Sequence, residues 1–255
     1  NKKVGITMSP WEIILIVLLS VIIVLLVLGV IVYDRFKELM RKQRVGFVLQ
    51  DEFAGEAPIV FLGDSLTDFY PTGEFYSPYN VANRGIACDT TADVQARLDE
   101  VIALRPSPVF LQIGINDLIR EGKKLTAEIL CERVFKIVDA LVAEGIEVTL
   151  LSLYPVRRKI YFIVSPAVLN HADNGRVNAA NELLAKKAAA AGMEFCNVHA
   201  ELTDGTGELK KEFTLEGLHL TLPAYRQITR YLLPYVKRAE QTRMDNLCQI
   251  SEADN

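Results

Sequence analysis

The sequence lacks most of the short signatures that would assign a chemistry at once. Its 255 residues hold only four cysteines and three histidines. Cys88, Cys131, Cys196 and Cys248 are scattered, with no C-x-x-C pair, which excludes zinc ribbons and thioredoxin-like redox motifs. Dispersed thiols also suit a reducing compartment better than a disulfide-bonded one. Asp204-Gly205-Thr206-Gly207 is followed by no Gly-Lys-Ser/Thr and reads as a turn, not a phosphate loop. G-x-S-x-G is missing, which argues against the larger α/β-hydrolase fold. An excess of positive charge is missing too. Lys and Arg number 28 against 32 Asp and Glu, a net charge of −4 that argues against nucleic acid as a partner.

Charge is absent altogether from one long stretch. From Ile13 to Tyr33 only Ser20 and Gly29 fall outside the hydrophobic set. At ~1.5 Å per residue such a helix is about 31 Å long, the thickness of a bilayer's hydrocarbon core. Trp11 and Tyr33 bracket it where interfacial aromatics are expected. A cleavable signal peptide has a shorter apolar core, ~7–15 residues, and a small-residue cleavage site. Here the run ends in Val-Tyr-Asp-Arg-Phe-Lys without an Ala-x-Ala pattern. Residues 1–33 therefore read as an N-terminal segment with an uncleaved, single-pass transmembrane anchor over 13–33. Lys2 and Lys3 precede the anchor, and Arg35, Lys37, Arg41, Lys42 and Arg44 follow it. That asymmetry favours the cytoplasmic face for the C-terminal domain, with the opposite side left open.

Residues 34–57 are charged and partly amphipathic, and read as a juxtamembrane helix and linker. From Pro58, short apolar runs alternate with helical patterns. The runs are Ile59–Leu62, Val81–Ala82, Val109–Ile113, Val148–Leu153 and Phe195–Val198. Helix candidates lie near 90–104, 126–144, 174–191 and 221–239. Continuous apolar strands separated by amphipathic helices indicate a parallel sheet covered on both faces. The expected domain is α/β, with a parallel five-stranded sheet, over residues 58–240, followed by a polar C-terminal tail over 241–255. Two segments break the rhythm: 156–172, with the apolar patch Ile160–Val164, and the polar, Gly-rich 203–214.

In such sheets, sites form at the carboxyl ends of the strands. The first run leads into Gly63-Asp64-Ser65-Leu66 and the second into Asn83-Arg84-Gly85-Ile86-Ala87-Cys88-Asp89-Thr90. The third leads into Gly114-Ile115-Asn116-Asp117, and Glu216-Gly217-Leu218-His219 stands before the last helix. These residues supply what acyl transfer needs. A serine at a strand-to-helix turn presents a hydroxyl and its own N–H, a histidine can take the hydroxyl proton, and a carboxylate can orient that imidazole. An asparagine amide at a neighbouring strand end can donate to the oxyanion. His171 lies in the irregular segment and His199 just past the last strand. Only His219 has an acid at i−3 and a loop-to-helix setting.

Over roughly residues 58–238 these four blocks, in this order and spacing, resemble the SGNH (GDSL) hydrolases, with bacterial GDSL esterases and acetylhydrolases the most similar kind. The resemblance implies a flavodoxin-like, three-layer α/β/α domain and a Ser/His hydrolase acting on esters or thioesters, without metal or organic cofactor. It implies Ser65 as nucleophile, His219 as base and residue 216 as its acid. The oxyanion would be held by the N–H groups of Ser65 and Cys88 and by the Asn116 side chain. Two positions depart from the family pattern: Glu216 stands for the usual Asp, and Cys88 for the usual Gly. Glutamate adds a methylene that the turn must absorb. Cysteine keeps the N–H, requires a backbone suited to an L-residue, and narrows the pocket.

The activity so implied is cleavage of carboxylic esters, of small acyl groups, lipids or acylated glycans, beside the membrane. An O-acyltransferase and a catalytically impaired membrane-tethered scaffold are the alternatives. Asp64 and Asp117 are expected to cap helices and hold loops, and Asp89-Thr90-Thr91 to mark a helix start. His199 is expected to be a satisfied residue at a strand end. Arg157, Arg158 and Lys159 are expected to form a solvated or interfacial cluster, suited to anionic headgroups if near a bilayer.

Overall fold

The computed structural model describes residues 9–53, 55–158 and 173–253. The chain divides into two compact units, residues 1–48 and 49–255.

In the first unit, helix α1 (Pro10–Asp51) begins at a capping box. The Ser9 hydroxyl accepts from the Glu12 N–H at 3.3 Å, and the Ser9 N–H donates to the Glu12 carboxylate at 2.6 Å. Proline follows at the first helical position, where its missing N–H costs nothing. The span Pro10–Phe36 is long and apolar enough to cross a membrane, and none of it is buried. Ser20 satisfies its hydroxyl within the helix, on the Ile16 carbonyl at 2.8 Å. The helix continues unbroken through the charged stretch after the apolar span.

The second unit holds five parallel strands in the order β2-β1-β3-β4-β5. They are β1 (Ile59–Gly63), β2 (Val81–Gly85), β3 (Val109–Gln112), β4 (Val148–Leu151) and β5 (Phe195–Cys196). Each lies on an expected apolar run, and helices cover the two faces as a parallel sheet demands. β1 is buried along its whole length, so alternation gives way to a continuous apolar run. Phe61 stacks on Phe110 of β3 at 4.9 Å and on Tyr76 at 5.2 Å, at the centre of the core.

The helices after α1 are α2 (Ser65–Asp68), α3 (Thr72–Phe75), α4 (Thr91–Gln95), α5 (Leu98–Ile102) and α6 (Ile115–Glu121). Then come α7 (Ala127–Ala143), α8 (Asn174–Ala190), α9 (Val198–Leu202) and α10 (Leu222–Ala253). The helix expected over 90–104 is two short ones. Arg97 breaks it by turning its buried guanidinium inward, to the carbonyls of Gly63 at 3.2 Å and Arg84 at 2.9 Å. The terminal helix runs past 239 because Arg243 anchors it, bonding to Glu240 and to the Glu56 carbonyl at 3.0 Å.

Two glycines set the approach of the loops. A Cβ at Gly63 would stand 2.2 Å from the Gln112 carbonyl oxygen, and one at Gly85 2.2 Å from the Asp68 nitrogen. Only glycine lets α2 fold back onto the ends of β1 and β2. Chain order reverses at β1, so the crevice beyond the ends of β1 and β3 is the topological switch point. Ser65 follows one of these strands and Asn116 the other.

Candidate active site

Ser65 opens α2 directly after β1. Asp64 is its N-cap, and the carboxylate accepts from the Leu66 N–H at 2.9 Å. Asp64 is wholly buried, and burial pushes its carboxyl up to about 7 against the lowering pull of the Leu66 N–H. Tyr225 of α10 donates its hydroxyl to the Leu66 carbonyl at 3.1 Å and fixes the short helix from the other side. Ser65 is itself buried, and its Oγ lies 3.1 Å from Nε2 of His219.

His219 and Glu216 occupy one closed turn. Thr214 and Leu220 bridge antiparallel across it, and the Gly217 N–H donates to the Thr214 hydroxyl at 2.9 Å. Gly217 takes φ +103, which a side chain would oppose. From outside, the Arg157 N–H donates to the Gly217 carbonyl at 2.8 Å. One oxygen of Glu216 then receives both the His219 N–H and ring Nδ1, each at 2.6 Å. The extra methylene of glutamate is absorbed by this chelate. Burial raises the Glu216 carboxyl, but the bonds from the His219 ring and N–H outweigh it and hold the group below the usual carboxylate range. The ring of Phe69 stands 5.3 Å from that of His219.

The loop after β2 carries Cys88 in the left-handed region, at φ +69. A non-glycine residue there costs about 1–3 kcal/mol and persists only where its surroundings over-determine it. Here they do. The Ala87 N–H donates to the Asp68 carboxylate at 3.1 Å, the Asp89 N–H to the Ile86 carbonyl at 3.2 Å, and Arg97 to the Asp89 carboxylate at 2.8 Å. The Cys88 thiol is exposed, and partial burial nonetheless raises its pKa. Asn116, at the start of α6, donates Nδ2 to the Asp89 carbonyl at 2.9 Å. One of its two amide hydrogens stays available. Neither the Ser65 nor the Cys88 N–H has an acceptor among the described residues.

Other expected residues fall into supporting places. Asp117 accepts the Thr91 N–H at 3.0 Å and hydroxyl at 2.5 Å, tying α6 to α4. Thr90 caps α4 in a capping box with Asp93. Residues Asp204–Gly207 form a turn closed by the Asp204 carboxylate. His199 is only partly satisfied, which corrects an expectation: Nδ1 bonds to Thr203 and the backbone N–H to Ser152, but Nε2 is buried without a partner among the described residues, and burial lowers the ring pKa. Arg157 corrects an expectation. It is not solvated: its guanidinium pairs with Asp204 at 2.9 Å and Glu208 at 2.8 Å, and is 16% exposed. A carboxylate pair already occupies the face a phosphate would need. Arg158 is exposed; Lys159, His171 and the patch Ile160–Val164 lie outside the described residues. Sequence reasoning missed Phe69, Asp68, Arg97 and Arg120. Only Arg120 left a signal, standing four residues after Asn116 on the same helix. No group of three metal-ligating side chains occurs among the described residues.

The family model described as GDSL-like lipase/acylhydrolase matches residues 61–227. A solved structure of a Streptococcus pneumonia protein named for platelet activating factor aligns at 26% identity and TM-score 0.69, covering 81% of this chain and 96% of its own. A GDSL-like lipase from Bacteroides thetaiotaomicron aligns at 19% identity and TM-score 0.67, covering 76% of this chain and 96% of its own. A variant of an acetyl-xylooligosaccharide esterase from Geobacillus Stearmophilus aligns at 17% identity and TM-score 0.55, covering 72% and 95% respectively. The last two show likeness of fold alone. Among proteins of curated description, none matches the chain.

Proposed function

Since the chain belongs to the GDSL-like lipase/acylhydrolase family, we propose that it is a serine hydrolase that cleaves carboxylic esters through an acyl-Ser65 intermediate while anchored to a membrane by residues 13–33. The observation that carries this reading is the unbroken line from Ser65 Oγ through the His219 ring to Glu216, with steps of 3.1 and 2.6 Å.

His219 takes the Ser65 proton at Nε2 as Oγ attacks the ester carbonyl. Glu216 stays ionised, holding Nδ1–H and stabilising the imidazolium. The carbonyl oxygen becomes an oxyanion, facing the N–H groups of Ser65 and Cys88 and the remaining amide hydrogen of Asn116. Collapse expels the alcohol, which takes its proton from Nε2. Water repeats the sequence on the acyl-serine, releases the carboxylic acid and restores the free hydroxyl.

Lipid esters are the substrate class best supported. Phe69 packs on the base, while Leu215, beside Glu216, is 79% exposed and Leu222, just past His219, is 64% exposed. Exposed apolar side chains beside a site suit an apolar partner. The positive charges from Arg35 to Arg44 support a cytoplasmic domain. The test is turnover of p-nitrophenyl esters of graded chain length by the detergent-solubilised protein. Longer acyl chains should be favoured, and Ser65→Ala should reduce turnover by at least ~10³-fold. Residual turnover above a tenth would remove Ser65 from the role.

A further inference from the structure

The site contains one arrangement that the hydrolytic line from Ser65 to Glu216 does not use. Two side chains of α6, one turn apart, reach two consecutive carbonyls of the loop after β2. Asn116 donates to Asp89 at 2.9 Å, and Arg120 donates through Nη2 to Cys88 at 2.5 Å. Arg120 also brings Nη1 to 3.7 Å from Asp93, the carboxylate that caps the Thr90 N–H at 2.9 Å. A guanidinium offers several donors in a fixed fork, so one group can serve a carbonyl and a carboxylate together.

The residue so held is Cys88, the one residue of this loop with a left-handed backbone and a side chain to oppose it. Left to itself, an L-residue relaxes toward negative φ, and the peptide carrying its N–H turns with it. The peptide before is pinned where the Ala87 N–H meets Asp68. The peptide after is pinned where Arg120 meets the Cys88 carbonyl. With both neighbours fixed, the intervening peptide keeps one orientation, and that peptide carries the proposed oxyanion donor.

We propose that Arg120 is a positioning residue: it clamps the Cys88 carbonyl so that a non-glycine residue can hold its N–H toward the oxyanion. The assignment rests on the ester-hydrolase reading above. Arg120 acts through Cys88 and touches no reacting atom, so its effect must depend on what occupies position 88. Glycine adopts the same φ without a Cβ clash and needs less holding.

A double-mutant cycle on the full-length, detergent-solubilised protein tests this, with p-nitrophenyl acetate as substrate. Arg120 is half exposed, so its truncation leaves the core intact. Arg120→Ala should lower kcat about tenfold with KM changed less than about twofold, the mark of an interaction realised in the transition state. In the Cys88→Gly background the same substitution should cost less than about threefold, because the two sites share one network. Equal losses in both backgrounds, a loss confined to KM, or no loss overturns the clamp. Labelling by a serine-reactive fluorophosphonate separates the two levels. If wild-type Ser65 labels and the cycle shows no coupling, the clamp alone is wrong. If wild-type Ser65 takes no label, the hydrolase reading fails and the clamp fails with it.

Discussion

The turn carrying Glu216 and His219 and the loop carrying Cys88 meet the same substrate group in the proposed reaction, yet they are built in opposite ways. The turn is held mainly from within: its carboxylate, imidazole, glycine and bridging threonine all fall within residues 214–220, and the Arg157 N–H on the Gly217 carbonyl braces it from outside. The loop is held from outside, by Asp68 of α2, Arg97 between α4 and α5, and Asn116 and Arg120 of α6. A local device tolerates a changed residue within itself, as the Glu216 chelate shows. A device propped from three elements tolerates a strained residue, but only while every prop stands.

Substitutions in the two regions should therefore differ in kind. The largest effect falls on the turn's chemistry. His219→Ala should lower kcat/KM by ~10³-fold or more with the melting temperature nearly unchanged, because the lost group is half exposed and acts only in the reaction. Glu216→Gln keeps the shape and removes the charge, and should cost roughly 10²-fold, within the range for acid–base assistance. Both are read by steady-state kinetics. A loss of stability matching the loss of rate would show that the turn is not held mainly from within.

The loop should respond through the fold. Gly85→Ala drives a Cβ to 2.2 Å from the Asp68 nitrogen, under the residue that pins Ala87. Unfolding in urea should show a loss of about 1–3 kcal/mol, as overpacking does, together with reduced activity. Unchanged stability would mean that the loop does not depend on this foundation.

The effect that depends on pH belongs to Asp64, which feels the charges of both Asp89 and His219. Burial raises its carboxyl from 3.8 to about 7. The unfolded chain ionises at the lower value, so Asp64 contributes stability at acid pH that is lost as pH rises toward 7. Asp64→Asn keeps an acceptor for the Leu66 N–H and cannot ionise. Its melting temperature relative to wild type should rise by about 5–10 °C between pH 5 and pH 8, the shift expected for about 2.6 kcal/mol in a domain of this size. A constant difference would remove the buried charge from the account.

The same contrast governs what can be read without a structure. The strands were legible because burial on both faces leaves continuous apolar runs, as in β1. Glu216 and His219 were legible because their partnership is local, three residues apart in one turn. Ser65 and Asn116 were legible from their places after strands. The props of the Cys88 loop were not, since nothing local marks Arg97 or Arg120 as reaching a carbonyl far along the chain. For the same reason the break between α4 and α5, made by the inward turn of Arg97, does not show in the helical pattern of 90–104. Arg157 misled because a run of basic residues looks solvated until its acidic partners, Asp204 and Glu208, are known.

The most direct test of the central claim is mass spectrometry of the full-length protein after reaction with a fluorophosphonate at neutral pH. One adduct is expected, on Ser65, formed orders of magnitude more slowly after His219→Ala. An adduct on another serine, or none on Ser65 in the folded protein, would contradict it.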